Sequence, residues 1–292
     1  MRVTALVVGA TGFLGTEICR RLVDKGIGLR ALVRETSAPD RVEALRALGA
    51  EIVIGDLRDR ESLDRACAGI DIVFSTATSI AREGEISGVD EQGQLNLVDA
   101  ARAAGVARFV YISFEELGTG APIEQAKRAV EERLRQSAMA YTILRPGLFH
   151  ETWLTPVTGF DVGNGTVNVY GSGEAELSWI SLGDVATAAV QALDEPETEQ
   201  AVVPIAGERM SYRDVIAAFE DVTGRKLAVQ QVPAEALAAQ RDASSDERER
   251  SFAGLMLAVA SGTPPGDGEA WLRRLGVERP VTVRDAAARA TE

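Results

Sequence analysis

The sequence predicts an α/β fold: a doubly wound, Rossmann-type parallel sheet with a smaller C-terminal substrate lobe. Three observations predict it. A glycine-rich turn, Gly9-Ala10-Thr11-Gly12-Phe13-Leu14-Gly15, joins an apolar run at Thr4 to Val8 to a helical pattern at Phe13 to Val23. Strand-like and helix-like stretches then alternate as far as Leu144, the rhythm of right-handed βαβ units. After Pro146 the rhythm is lost, with five glycines between Gly159 and Gly173. The expected division is a dinucleotide-binding domain at 1–146, completed by about 178–205, and a smaller substrate or partner lobe from 147–177 and 206–292.

The first strand, turn and helix carry the sharpest expectation. Gly9 allows the tight turn, Gly12 lets the backbone approach a pyrophosphate, and Gly15 lets the helix pack close to the strand. Helix N-terminal amides from Thr11 through Phe13 and Leu14 then face the phosphates, where the helix dipole favours negative charge. The second strand, Leu29 to Val33, ends at Arg34-Glu35. An acid at that place receives the ribose hydroxyls of NAD, and an arginine accommodates the 2′-phosphate of NADP. Arg34 follows the apolar strand directly, so NADP(H) is favoured over NAD(H), with Glu35 turned away.

A helix at Arg41 to Leu48 leads to a third strand, Glu51 to Ile54, closed by Gly55-Asp56-Leu57. Asp56 either accepts from the adenine amino group, with Leu57 beside it, or caps the helix starting near Glu61. The fourth strand, Asp71 to Ser75, opens into Thr76-Ala77-Thr78-Ser79, a loop at a strand carboxyl end where ligand crevices form. A helix at Gln92 to Ala104, a fifth strand at Arg108 to Ile112 ending in Ser113, a helix at Ala121 to Ser137 and a sixth strand at Tyr141 to Leu144 follow. Beyond them, Ser178 to Ser181 and Ala201 to Ile205 read as strands, and Asp184 as the cap of a helix at Val185 to Leu193. The remainder is mainly helical: Ser211 to Thr223, Ala234 to Gln240, Asp246 to Ala260, then a Pro/Gly-rich break at Ser261 to Gly268 before the last helices.

Composition narrows the classes. A formal net charge of −13 with no basic cluster argues against a general nucleic-acid binder. No apolar stretch nears the ~20 residues that span a membrane. The N-terminal apolar run is broken by the glycine turn and joins a helix carrying Glu17, Arg20 and Arg21, unlike a secretory signal. Cys19 and Cys67 sit in helical patterns and read as buried thiols of a cytoplasmic protein. With a single histidine, His150, no metal site is expected.

The chain resembles the atypical short-chain dehydrogenases of the NmrA-like and isoflavone-reductase-like group. The resemblance rests on the glycine turn, Val33-Arg34, Gly55-Asp56-Leu57, Ala104-Gly105-Val106 with Arg108-Phe109-Val110 and Ser113, Lys127 with Glu131, Tyr141-Thr142-Ile143-Leu144-Arg145-Pro146, and Asp184-Val185-Ala186. These cover the first two-thirds of the chain. The last third matches more loosely, through Met210-Ser211 and Arg279-Pro280-Val281-Thr282-Val283.

The resemblance implies NADPH-dependent hydride transfer to a quinone, a conjugated carbonyl or a small carbonyl. The alternative is an NADP(H)-binding sensor that meets a protein partner, or a second copy of itself, without turnover. Ordinary short-chain enzymes carry Tyr-x-x-x-Lys; here Lys127 is present but Ile123 stands four residues earlier and transfers no proton. That also counts against an epimerase or dehydratase. Lys127, one of only three lysines, is expected at the nicotinamide ribose and in proton chemistry; the bland alternative is a solvated helix lysine paired with Glu131. Ser113 takes the family's active-site serine position, and Tyr111 reads as a packed core residue. Pro146 and Phe149 are placed by the resemblance at the nicotinamide end, with His150 either a donor to a substrate oxygen or merely structural. Trp153, Phe160 and Trp179 line a pocket or pack a core.

Overall fold

The computed structural model describes residues 3–80, 86–263 and 266–290; Pro264 and Pro265 of the expected Pro/Gly-rich break lie outside them. Strands β1 (Thr4–Val8), β2 (Gly28–Val33), β3 (Glu51–Ile54), β4 (Ile72–Ser75), β5 (Arg108–Ile112) and β6 (Ala140–Pro146) join the strand Ala201–Ile205 in a seven-stranded sheet. Its order is Ala201–Ile205, β6, β5, β4, β1, β2, β3. Every pair from β3 across to β6 is parallel. The connections reverse between β1 and β4, a switch point beyond whose strand carboxyl ends such sheets hold ligands.

The inner strands are mainly apolar because helices cover both faces. Ala5, Leu6 and Val7 have no exposed surface, and Val73, Phe74, Phe109 and Val110 match them on the neighbouring strands. Helices α1 (Phe13–Asp24), α2 (Pro39–Ala47), α3 (Arg60–Cys67), α4 (Gln94–Ala103) and α5 (Pro122–Gln136) form the connections. Helix α1 turns Leu14, Ile18, Cys19 and Leu22 inward. Both cysteines are buried free thiols, pushed up to about 12 by desolvation, so neither presents a reactive thiolate. Where the sequence predicts one helix from Gln92, a π-helix at Ser87–Gly93 precedes α4. Its wider turns place Asp90 inside, where its carboxylate accepts from the Ser79 amide and hydroxyl.

The chain divides into two compact units: Met1–Phe114 with Gln125–Arg145 and Ala186–Val203, and Glu115–Glu124 with Pro146–Val185 and Pro204–Glu292. The second unit carries two small sheets. In one, Glu176–Ile180 pairs with Leu148–Phe149 in parallel and with Glu208–Ser211 antiparallel. In the other, Thr166–Tyr170 lies between Phe160–Asp161 and Ala228–Val232.

Two expectations need correction here. The strand around Ser178 does not extend the main sheet; only Ala201–Ile205 does. The reason is Gly147: a Cβ there would lie 2.5 Å from the Ser178 carbonyl oxygen, so glycine alone lets the chain leaving β6 run against Glu176–Ile180. Asp184 does not cap the following helix, which spans Leu182–Gln191. Ser181 Oγ accepts from the Asp184 amide, and the Asp184 carboxylate holds the Val281 amide at 2.9 Å.

Phe160 and Trp179 are core residues. Phe160 meets Phe219 edge-on at 4.8 Å between centroids, and Trp179 lies beside Tyr212. Their packing fills the second unit's interior, so neither lines a pocket wall. The sequence also hides the strands Glu208–Ser211 and Ala228–Val232, the second because it is exposed along most of its length and lacks alternation.

Candidate functional site

The site is built from the turn after β1. Gly9 has φ +88°, and a Cβ there would sit 2.6 Å from Thr76 Oγ1 and 2.8 Å from the Ala77 amide nitrogen. A Cβ at Gly15 would lie 2.1 Å from the Gly9 carbonyl oxygen, so α1 can cross β1 this closely only with glycine there. Gly12 donates to that same carbonyl at 2.9 Å. The N-cap of α1 is Gly12, which has no side chain to cap it, and no acid stands in the first turn. The amides and dipole at such a helix start suit an anionic acceptor. Phe13 is 64% exposed, whereas the Leu14 side chain packs inward, leaving its backbone to face the turn.

Arg41 is a residue the sequence reading missed. Its Nη1 donates to the Thr11 carbonyl at 2.7 Å and its guanidinium lies 5.1 Å from the Phe13 ring centre. Arg34 is exposed just beyond β2, its amide donating to Ser37 Oγ. It borders an open depression of about 520 Å³ with Ser37, Pro39, Arg46 and Ile54. Glu35, expected to turn away, lines the same depression.

The neighbouring loops are pinned by side chains. Asp56 is chelated by the Arg58 guanidinium at 3.0 Å through Nε and Nη2, and those bonds hold its carboxyl below the usual range. It does not cap α3: Asp59 does, by accepting from the Glu61 amide. Leu57 is buried, and a Cβ on Gly93 would come within 2.8 Å of it. Thr76 Oγ1 donates to the Val8 carbonyl at 3.2 Å. Gln94, fully buried, donates to the Ala77 carbonyl and accepts from Ser75 Oγ.

Lys127 is buried, at 6% exposure, which excludes the solvated helix lysine. Its Nζ donates to the Ile112 carbonyl at 3.1 Å and lies 4.9 Å from the Tyr111 ring centre. Burial pulls its pKa down from the ordinary lysine value, against the opposing charge of Asp90.

Glu131 has other partners. Arg145 grips it through Nε at 3.1 Å and Nη2 at 2.7 Å, and Arg128 and Arg135 add ion pairs. Burial raises its pKa, but the bonds from Arg145 and Ser113 outweigh that and hold it low. Ser113 Oγ donates to Glu131 Oε1 at 2.7 Å and accepts from Arg128 Nη2 at 3.0 Å. Its hydroxyl is committed to this cluster. Tyr111 is fully buried in the core of the sheet.

The remaining expected residues belong to the second unit. Pro146 is buried at the end of β6 and Phe149 is half-buried. His150 is 3% exposed, and neither ring nitrogen has a hydrogen-bond partner among the described residues. Burial, reinforced by Arg289 and opposed by Asp285, pulls its pKa down to about 4, so the ring is neutral near pH 7. Among the described residues no helix is long and apolar enough to cross a membrane.

The NmrA-like family pattern matches residues 1–248. The NAD(P)H azoreductase of Xenophilus azovorans is 30% identical over 226 residues, 76% of this chain and 74% of its own. A (4-alkanoyl-5-oxo-2,5-dihydrofuran-3-yl)methyl phosphate reductase of Streptomyces griseus is 33% identical over 235 residues, 79% of this chain and 78% of its own. The photosystem II assembly factor Ycf39 of Synechocystis is 31% identical over 233 residues, 78% and 70% of the two chains. In fold, the chain superposes on the NADPH complex of the Escherichia coli quinone oxidoreductase QOR2 with a TM-score of 0.80, covering 99% of this chain and 100% of the other at 21% identity.

Proposed function

The chain belongs to the NmrA-like family, and on that premise we propose that it binds NADP(H) and reduces a quinone, a conjugated carbonyl or a small carbonyl compound. The observation that carries the reading is the turn Gly9 to Gly15, where Gly9 and Gly15 have no room for side chains and the helix starts at Gly12 with no acid in its first turn. A pyrophosphate fits there, against the backbone of Gly9, Thr11, Gly12, Phe13 and Leu14. Arg34, with Arg41 close to the same turn, would take the 2′-phosphate, and Thr76 and Ala77 would border the dinucleotide. Asp56, oriented by Arg58, would accept from the adenine amino group through its remaining lone pairs, with Leu57 beside it. The two buried free thiols fit a reducing, cytoplasmic setting.

When bound, NADPH supplies the hydride. The chain's own task is then orientation and the proton. Lys127 has one N–H on the Ile112 carbonyl, so its other donors are available to a ribose hydroxyl or a developing oxyanion. Ile123 cannot transfer a proton, and Ser113 is held by Glu131. General acid help typically contributes ~10²–10⁴-fold. Substrates whose reduced oxygen is acidic, such as a quinone giving a hydroquinone, depend on it least. Quinones and conjugated carbonyls should therefore turn over better than simple ketones, and Lys127→Ala should lose more in turnover than in cofactor affinity.

The test is NADPH oxidation against quinones, enones, azo dyes and ketones, with cofactor titration followed by tryptophan fluorescence. Arg34→Ala should weaken NADPH roughly ten- to a hundred-fold and leave NADH nearly unchanged, from the ~1.5–3 kcal/mol of a charge-assisted contact. Equal affinities for the two cofactors in the unaltered chain would refute the Arg34 assignment. The relationship to an assembly factor favours a second reading, a cofactor-dependent binding protein that meets a partner chain or a second copy without turnover. Tight NADPH binding with no compound reduced would select it.

A further inference from the structure

Within the first unit, an acid and a base are buried with less pairing than their chemistry requires. Asp90 has no exposed surface. Its Oδ2 accepts from the Ser79 amide at 2.9 Å and from Ser79 Oγ at 2.6 Å, while Oδ1 has no hydrogen-bond partner among the described residues. The Tyr111 hydroxyl, equally buried, also has none there. Lys127 Nζ rests over the Tyr111 ring with one bond among the described residues, to the Ile112 carbonyl. An isolated buried charge neutralises itself, whereas two opposite ones sustain each other.

The neighbouring charges do not serve as the lysine's partner. Glu131 is taken by Arg145, Arg128, Arg135 and Ser113. Arg128 lies against Ser113 and Phe114 and repels the lysine. Asp90 acts electrostatically on both Lys127 and Tyr111. The π-helix Ser87–Gly93 carries it inward, and Ser79 fixes one of its oxygens.

We propose that Asp90 is the counter-charge of Lys127, a positioning residue that keeps the buried amine protonated so that it meets a ligand as an ammonium donor. The pairing stands without any cofactor; its use toward a ligand rests on the function proposed above. The amine lies over the Tyr111 ring of β5 and feels the charges of Asp90 from the π-helix and of Arg128 and Glu131 from α5. Of these, Asp90 and Glu131 favour its charged form, and only Asp90 has an oxygen free of other partners among the described residues.

With three lysines in the chain, Lys25, Lys127 and Lys226, the test is direct. In ε-¹³C-lysine-labelled protein, with signals assigned through Lys25→Arg and Lys226→Arg, the Lys127 signal is titrated without cofactor. In Asp90→Asn its midpoint should fall by about one pH unit or more, a tenfold loss of proton affinity by linkage, with Lys25 and Lys226 unmoved. Asp90→Glu should restore part of the shift, and the alkaline limb of any turnover profile should move the same way. An unchanged Lys127 midpoint in Asp90→Asn overturns the proposal.

Should that variant not fold, urea unfolding of Lys127→Met and of Asp90→Asn/Lys127→Met decides. Lys127→Met strands the carboxylate, so the double variant should be the more resistant of the two. A double variant less resistant than Lys127→Met overturns the pairing. A chain that keeps the pair yet binds no NADPH refutes the proposed function alone.

Discussion

Replacing His150 by leucine tests what a partnerless buried imidazole does to this protein. In the folded chain its pKa is lowered from 6.5 to about 4, by burial first and by Arg289 second, with Asp285 opposing. The unfolded chain thus takes up a proton near pH 6.5 that the folded chain refuses until about pH 4. Stability from this group is complete above the unfolded value, falls as pH drops through the window between the two, and is exhausted below the folded one. At ~1.36 kcal/mol per pH unit the whole term is about 3 kcal/mol, of which about 2 kcal/mol is lost by about pH 5. Leucine has no proton to gain, and neither ring nitrogen has a bond to forfeit among the described residues. Urea unfolding of both proteins at about pH 7.5 and about pH 5 isolates the term, because the other titrating groups cancel in the comparison. The leucine variant should lose about 2 kcal/mol less on acidification. Equal losses would refute the reasoning and place the ring in contact with solvent or with a hydrogen-bond partner.

Three further outcomes are expected. Gly15→Ala should cost ~1–3 kcal/mol or more by thermal unfolding, because its Cβ would press on the Gly9 carbonyl, and it should abolish NADPH binding. Glu131→Gln should cost ~3–5 kcal/mol in urea by stranding the buried end of Arg145, whereas Ser113→Ala should cost only ~1 kcal/mol and spare turnover. Glu124 accepts from the amides of Leu117, Gly118, Thr119 and Gly120 and from the Thr119 hydroxyl. Burial raises its pKa, but those bonds outweigh it and the net shift is downward from 4.5. Its contribution is therefore present above that value and lost as pH falls below it; in Glu124→Gln, hydrogen exchange at residues 117–120 should be faster at neutral pH.

The first half of the fold could be read from the sequence because it is written in local terms. Three glycines between an apolar run and a helical pattern specify a strand, a tight turn and a close-packed helix within a few residues. Apolar runs of four to six residues mark strands buried on both faces, and Arg34 is located simply by where β2 stops. Lys127 could be singled out by its rarity and its place in α5.

Other features were decided only by the tertiary structure. The strands Glu176–Ile180 and Ala201–Ile205 look alike as apolar runs, yet the chain leaving β6 pairs with the first through the close approach at Gly147, and the second alone joins the main sheet. Asp90 stands before the helix that the sequence predicts from Gln92, and only the π-helix turns it inside. Ser113 has the position of a reacting hydroxyl but is taken by a glutamate eighteen positions away. His150 owes its neutrality to burial and to Arg289 at the end of the last helix, Val283–Arg289. Backbone conformation and apolar periodicity depend on neighbours along the chain and so appear in the sequence. Burial and hydrogen-bond partnership depend on residues brought together from far apart, and only the folded chain chooses those.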